Sequence, residues 1–145
     1  DLLILDDFSL GLDPGYRRLF IDYMREYCKA KGKTVFLTSH IIQDMGRLID
    51  DVLIMDYNRV LVQGPVKDFT DKFKGFIFDL ERDDITFSDS LAVNVEHINN
   101  HYEFYTYGDE TEVKKLLEAQ GLAYSNFTQL DMTLEDAFIG LTGKY

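Results

Sequence analysis

The sequence predicts an α/β fold over residues 1–75, built on a parallel βαβ unit plus a hairpin, followed by a small α+β domain over residues 76–145. Three observations carry this. Two short apolar runs, Leu2-Leu3-Ile4-Leu5 and Thr34-Val35-Phe36-Leu37-Thr38, lack polar alternation, the pattern of strands covered on both faces of a parallel sheet. A helical stretch with its own start and stop signals lies between them, and strands joined through a helix are parallel. Beyond Lys74-Gly75 the texture changes to a hairpin and two capped helices.

Each element has a local reason. Asp13-Pro14 opens the first helix, since Asp caps free N–H groups and Pro suits the first helical position. Tyr16, Leu19, Phe20, Tyr23 and Tyr27 follow at helical spacing as its apolar stripe, and Gly32 stops it. After the second strand, Ile41, Met45, Leu48 and Ile49 predict another helix. Residues 52–55 and 59–62 flank Tyr57-Asn58 as a hairpin. Gly64-Pro65 punctuates, and residues 66–73 suit one short helix. Residues 92–98 and 101–107 bracket Asn99-Asn100. A turn there sets Val95 opposite Phe104 and His97 opposite Tyr102. Asp109 and Glu112 form a capping box for a helix bearing Val113, Leu116 and Leu117, which Gly121 ends. A strand over 124–129 follows. Thr133 and Asp136 then open a last helix with Leu134, Ala137, Phe138 and Leu141 as its apolar stripe.

Composition narrows the function classes. Of the 145 residues, 46% are hydrophobic and 28% charged, which suits a packed core rather than disorder. The longest apolar runs fall far short of a membrane span. Asp1 followed by a strand does not read as a cleavable leader. The one cysteine, Cys28, forms no internal disulfide, suits a reducing cytoplasm, and is expected as a buried small apolar side chain. A net charge of −11 repels phosphate backbones, so no nucleic-acid partner is expected. A nucleotide site depends on local groups instead.

Ligands bind beyond the carboxyl ends of strands in open parallel sheets. Asp6-Asp7 ends the first strand and His40 lies just past the second, so a βαβ unit brings them to one edge. Carboxylate oxygens suit Mg²⁺, often through its water shell; a second carboxylate polarises water, and a histidine hydrogen-bonds a phosphate oxygen. On spacing alone, a strand-end turn or capping pair accounts for Asp6-Asp7 better, and His40 suits a structural role. Asp13 reads equally as a plain N-cap. His97 and His101 flank a turn and no Cys or acidic triad joins them, so a metal is not expected there. The aromatics of 104–107 likewise read as packing, and the charges of 110–115 as a solvated helix face.

The motifs that follow reverse the balance at the strand ends. "LLILDDFSLGLDP" followed by "VFLTSH" resembles the second half of an ATP-binding cassette (ABC) ATPase, exporter type. Asp6 resembles the Walker B aspartate, Asp7 stands where that family carries its catalytic Glu, residues 11–13 resemble the D-loop, and residues 38–40 the switch histidine motif. "DDVLIMDYNRVLVQG" resembles the family's closing hairpin, and "TLEDAFIGLTG" the end of its accessory domain. The resemblance implies the C-terminal part of a P-loop NTPase. Walker A, Q-loop and signature motif are absent from these residues, and a C-terminal fragment is expected. Phe8 replaces the usual Pro and Leu10 a small or polar residue. Asp7 is one methylene short of Glu, and a misplacement of about 1 Å can cost roughly 10²-fold in rate.

What the resemblance implies is an ATPase subunit that uses Mg²⁺ and ATP to drive export through a separate membrane permease. Asp6 would orient Mg²⁺ through water, Asp7 the attacking water, His40 the γ-phosphate, and Asp13 would couple two sites across a homodimer. Residues 1–75 would be the nucleotide-binding portion and 76–145 a regulatory or dimer-stabilising module. The subunit would be cytoplasmic, held at the inner face of the membrane by its permease, and the 145 residues alone would be inactive. The alternatives are a non-catalytic interaction scaffold derived from an ABC ATPase, and a soluble ABC ATPase unconnected with transport.

Overall fold

Residues 1–43, 45–82 and 85–143 are described by the computed structural model. The chain divides into two compact units, Asp1–Asp51 and Val52–Tyr145. It is a mixed α/β protein with both parallel and antiparallel pairing.

In the first unit, β1 (Leu2–Asp6) and β2 (Thr34–Thr38) pair in parallel through α1 (Pro14–Lys31), in a register running from Leu2 opposite Thr34 to Asp6 opposite Thr38. Asp13 caps α1 by accepting the Gly15 and Tyr16 N–H groups at 2.9 and 3.1 Å. Gly32 ends it in the left-handed region at φ 58°, where a Cβ would be strained, and donates its N–H to the Cys28 carbonyl. An ion pair from Lys33 to Asp1 ties the helix exit to the start of β1.

Three expectations change here. The buried residues of α1 are Ile21 and Met24, with Arg17, Phe20, Tyr27 and Cys28 half-buried, whereas Tyr16, Leu19 and Tyr23 are exposed. The inward stripe thus lies about one residue round the helix from the tyrosines, whose polar tips tolerate water. The helix expected after β2 is only a 3₁₀ turn, Met45–Arg47, with Met45 buried. Gly46 disfavours a longer helix, and the Ser39 hydroxyl competes for the backbone, accepting the Ile41 N–H at 3.0 Å and donating to its carbonyl at 3.1 Å. The strands are not covered on both faces: Leu3, Leu5, Val35 and Leu37 are half-buried, but Leu2, Ile4 and Phe36 are 58, 70 and 58% exposed.

The second unit begins with the expected hairpin of β3 (Asp51–Asp56) and β4 (Arg59–Pro65), turned with Tyr57 at φ 47°, and α2 (Val66–Lys72). A four-stranded sheet in the order β6-β7-β5-β8 follows, made of β5 (Lys74–Leu80), β6 (Asn94–Ile98), β7 (His101–Thr106) and β8 (Tyr124–Gln129). Residue 75, where the sequence changes texture, lies at the start of β5. The β6–β7 register is the expected one, with Val95 opposite Phe104 and His97 opposite Tyr102. The two capping boxes are also formed, Asp109 with Glu112 at α3 (Glu110–Ala119) and Thr133 with Asp136 at α4 (Leu134–Thr142).

Alternation on the strands separates two faces. Phe76, Phe78, Leu80, Tyr102 and Phe104 form one core with Val113 and Leu117 of α3. The Tyr102 hydroxyl donates to the Arg82 carbonyl and accepts the Ile85 N–H, securing the entry to the loop before β6. On the other face lie Gly75, Tyr105 and α4. Gly140 lets α4 approach, because a Cβ there would stand 2.2 Å from the Tyr105 ring. The buried Tyr105 hydroxyl donates to Glu103 at 2.8 Å, and burial with this carboxylate pushes its ionisation well above the usual tyrosine range. His97 stacks on Tyr102 whereas His101 leaves the opposite face, so the two histidines do not converge.

β8 carries a bulge. Ser125 and Thr128 pair with Asp79 and Ile77, and Asn126 takes φ 53° between them. This aims the Asn126 amide at Asp79 at 2.6 Å, while His101 Nδ1 meets the other Asp79 oxygen at 2.7 Å. The Asn126 bond, then the His101 bond, holds the Asp79 carboxyl below its usual value.

Replacing Gly140 with Val should cost about 1–3 kcal/mol in urea unfolding, the usual scale of overpacking; a change under about 0.5 kcal/mol would show that α4 does not need this close approach. Because the folded Asp79 group titrates below its unfolded value of 3.8, its stabilisation is complete above that pH and fades as pH falls through the folded value. Acid unfolding of Asp79→Asn should therefore show a flatter stability profile below about pH 4 than the parent chain.

Candidate functional site

The parallel register of β1 and β2 puts the carboxyl ends of both strands at one rim. Asp6, the last residue of β1, accepts a hydrogen bond from the hydroxyl of Thr38, its cross-strand partner. Asp7 follows at φ 42°, in the left-handed region where Asp and Asn are the side-chain-bearing residues best tolerated. Its N–H is shared between the Thr38 carbonyl at 3.1 Å and the Thr38 hydroxyl at 3.3 Å.

That turn aims the Asp7 carboxylate at the chain leaving β2. Oδ1 accepts the His40 backbone N–H at 3.1 Å, and Oδ2 lies 3.3 Å from His40 Nε2. Asp7 is about one-third exposed and the His40 ring is almost wholly exposed, so the pair opens to solvent. Two successive turns, Leu10 N–H to the Asp7 carbonyl at 2.9 Å and Leu12 N–H to the Ser9 carbonyl at 3.2 Å, carry the chain to α1. Phe8 packs on Phe20 of α1 with ring centroids 5.3 Å apart. Arg17 reaches back from α1 to the Leu12 carbonyl at 3.4 Å. The Ser9 hydroxyl is buried in this loop without a hydrogen-bond partner among the described residues.

The structure therefore brings together Asp6, Asp7 and His40, three of the four residues singled out from sequence. Asp13 serves as the N-cap of α1. Thr38 is the member that sequence reasoning passed over except as part of a motif. Its signal was register: only the pairing of Asp6 with Thr38 reveals that one hydroxyl serves both aspartates. The donor set is hard oxygen, with an exposed carboxylate at Asp6 and a second beside it, which fits Mg²⁺ held through its water shell. Among the described residues no cluster of three or more His, Cys, Asp or Glu forms an all-protein metal cage.

No family model matches the chain. Known proteins do. The chain is 31% identical over 146 residues to the Nod factor export ATP-binding protein I of Rhizobium meliloti, covering 99% of this chain and 43% of that protein. It is 29% identical over 152 residues to the protein of the same name from Ralstonia nicotianae, covering 99% and 47%. A third, from Burkholderia lata, is 29% identical over 149 residues, covering 99% and 48%. The matches run the length of the chain and agree with the motifs from Leu2 to His40: the chain is similar throughout to ATP-binding proteins of ABC exporters. It spans just under half the length of these relatives. Among the described residues no helix is long and apolar enough to cross a membrane.

Asp7→Ala removes the acceptor that holds His40 and puts a residue less suited to positive φ at this turn. It should destabilise the first unit by about 1–2 kcal/mol and speed hydrogen exchange at the His40 amide. Asp7→Asn keeps an acceptor oxygen and tolerates the same backbone, so it should stay within about 0.5 kcal/mol of the parent chain. Equal losses in the two variants would remove the left-handed turn as the cause.

Proposed function

We propose that this chain carries the catalytic-carboxylate half of the nucleotide site of an ABC exporter ATPase, whose whole protein couples Mg-ATP hydrolysis to movement of cargo through a separate permease. The observation that carries this reading is the shared rim: Asp6, Asp7 and His40 converge at the carboxyl ends of two parallel strands, with Asp7 in contact with His40. Bound Mg²⁺ would supply charge neutralisation for the phosphates. With that ion and nucleotide bound, Asp6 would hold the ion, Asp7 would orient the attacking water, and His40 would donate to a γ-phosphate oxygen. Asp13, at the start of α1, couples the site to a second subunit. Residues 76–145 serve as an accessory module of the same subunit, which works at the cytoplasmic face of the membrane.

The phosphate cradle of such a site requires a glycine-rich loop and its lysine, and the 145 residues contain no G-x-x-x-x-G-K-[ST] run. The chain alone should therefore bind Mg-ATP weakly and turn it over negligibly. Isothermal titration checks this directly, and micromolar binding to the 145-residue chain would contradict it.

One observation favours a second reading, that of an interaction module. Leu2, Ile4 and Phe36 leave an apolar sheet face open in the first unit, and exposed apolar patches favour association. Sedimentation of the 145-residue chain tests it: a clean monomer at high micromolar concentration would remove this alternative.

A further inference from the structure

We propose that Thr38 is the positioning residue of the carboxylate pair, one hydroxyl that sets Asp6 and Asp7 together for a divalent cation. The inference rests on the magnesium reading of Asp6 given above. It adds a residue with a role distinct from that of the switch histidine two positions later.

The geometry is specific. A hydroxyl has one proton to give and lone pairs to accept with. The Thr38 proton goes to Asp6 Oδ1, and a lone pair meets the Asp7 N–H at 3.3 Å. The same amide also reaches the Thr38 carbonyl at 3.1 Å. Thr38 thus touches Asp6 through its side chain and Asp7 through its backbone, across the strand pair that aligns Asp6 with Thr38.

Asp6 is exposed, so burial does not fix its rotamer. Asp7 occupies a left-handed conformation at φ 42° that needs local hydrogen bonds to persist. Thr38 supplies a bond to each. It also stands on a strand rather than a loop, and a β-branched side chain has few χ1 choices there. A metal-binding carboxylate oriented by an outer hydrogen bond from a stiff element is a recurrent design, and losing such a partner typically weakens metal binding about 10–100-fold.

Thr38→Val keeps the β-branched shape and removes the hydroxyl. Thr38→Ser keeps the hydroxyl and removes the methyl. In the 145-residue chain, Mn²⁺ alone is the probe, read by paramagnetic broadening of the Asp6, Asp7 and His40 amide signals, with Asp6 side-chain couplings reporting rotamer order. The parent chain and Thr38→Ser should show one dominant Asp6 rotamer and broadening centred on this rim. Thr38→Val should average the Asp6 rotamers and need about tenfold more Mn²⁺ for the same broadening, with the β1–β2 amide pattern intact. A purely packing role for Thr38 would instead make Thr38→Ser the worse variant. Broadening and Asp6 order unchanged in Thr38→Val would overturn the role of Thr38 alone. No broadening at Asp6 even in the parent chain would overturn the magnesium reading and the inference with it.

Discussion

The pairing of β1 with β2 is the constraint on which the candidate site depends. Parallel strands need a crossover, and α1 provides it between a proline at its first position and a left-handed glycine at its end. Because the strands run the same way, their carboxyl ends meet at one rim. Because the register sets Asp6 opposite Thr38, Asp7, one residue past β1, and His40, two residues past β2, fall within hydrogen-bond reach. A slip of one residue would turn Asp6 to the other face of its strand and separate it from the Thr38 hydroxyl. The site is thus a consequence of strand register before it is a matter of individual side chains.

The second unit is organised around a different strand. β5 lies between β7 and β8, so its alternating residues supply both faces of the sheet. Phe76, Phe78 and Leu80 go to the aromatic core beneath α3, and Gly75 with its neighbour Tyr105 goes to the face that receives α4. Further along β5, on the α4 side, Asp79 collects His101 from β7 and Asn126 from the β8 bulge. One charged side chain thereby links three neighbouring strands, and the bulge, an apparent irregularity, is what brings the amide into reach.

The legible part of the sequence was the part governed by local rules. Caps at Asp13, Asp109 and Thr133, the turns at Tyr57-Asn58 and Asn99-Asn100, and the β6–β7 register all follow from short-range hydrogen bonding and cross-strand packing, and all appear in the structure. The central strand β5 escaped because Lys74-Gly75 has the composition of a break, whereas Gly75 is needed for close contact with Leu130, Met132 and Tyr105. The stripe of α1 was misplaced because Tyr is apolar in body and polar at its tip, so spacing alone could not say which side faced inward. The helix after His40 was over-read from hydrophobic spacing across Gly46 and a serine that bonds its own neighbouring backbone. At the rim, Asp6, Asp7 and His40 were readable as motif residues, but the bonds that join them through Thr38 depend on register and a positive φ, which no local pattern displays.

The positive φ also bears on the choice of an aspartate at position 7. A left-handed residue with a side chain costs roughly 1–2 kcal/mol, and Asp offsets part of this through short local hydrogen bonds in a way that the longer Glu cannot. Asp7 does so here, using one carboxylate oxygen for the His40 amide and the other for its ring. The short acid and the backbone suit each other: from its left-handed turn Asp7 meets both the His40 amide and the His40 ring. The local geometry thus commits both oxygens of the Asp7 carboxylate to His40, one to its amide and one to its ring.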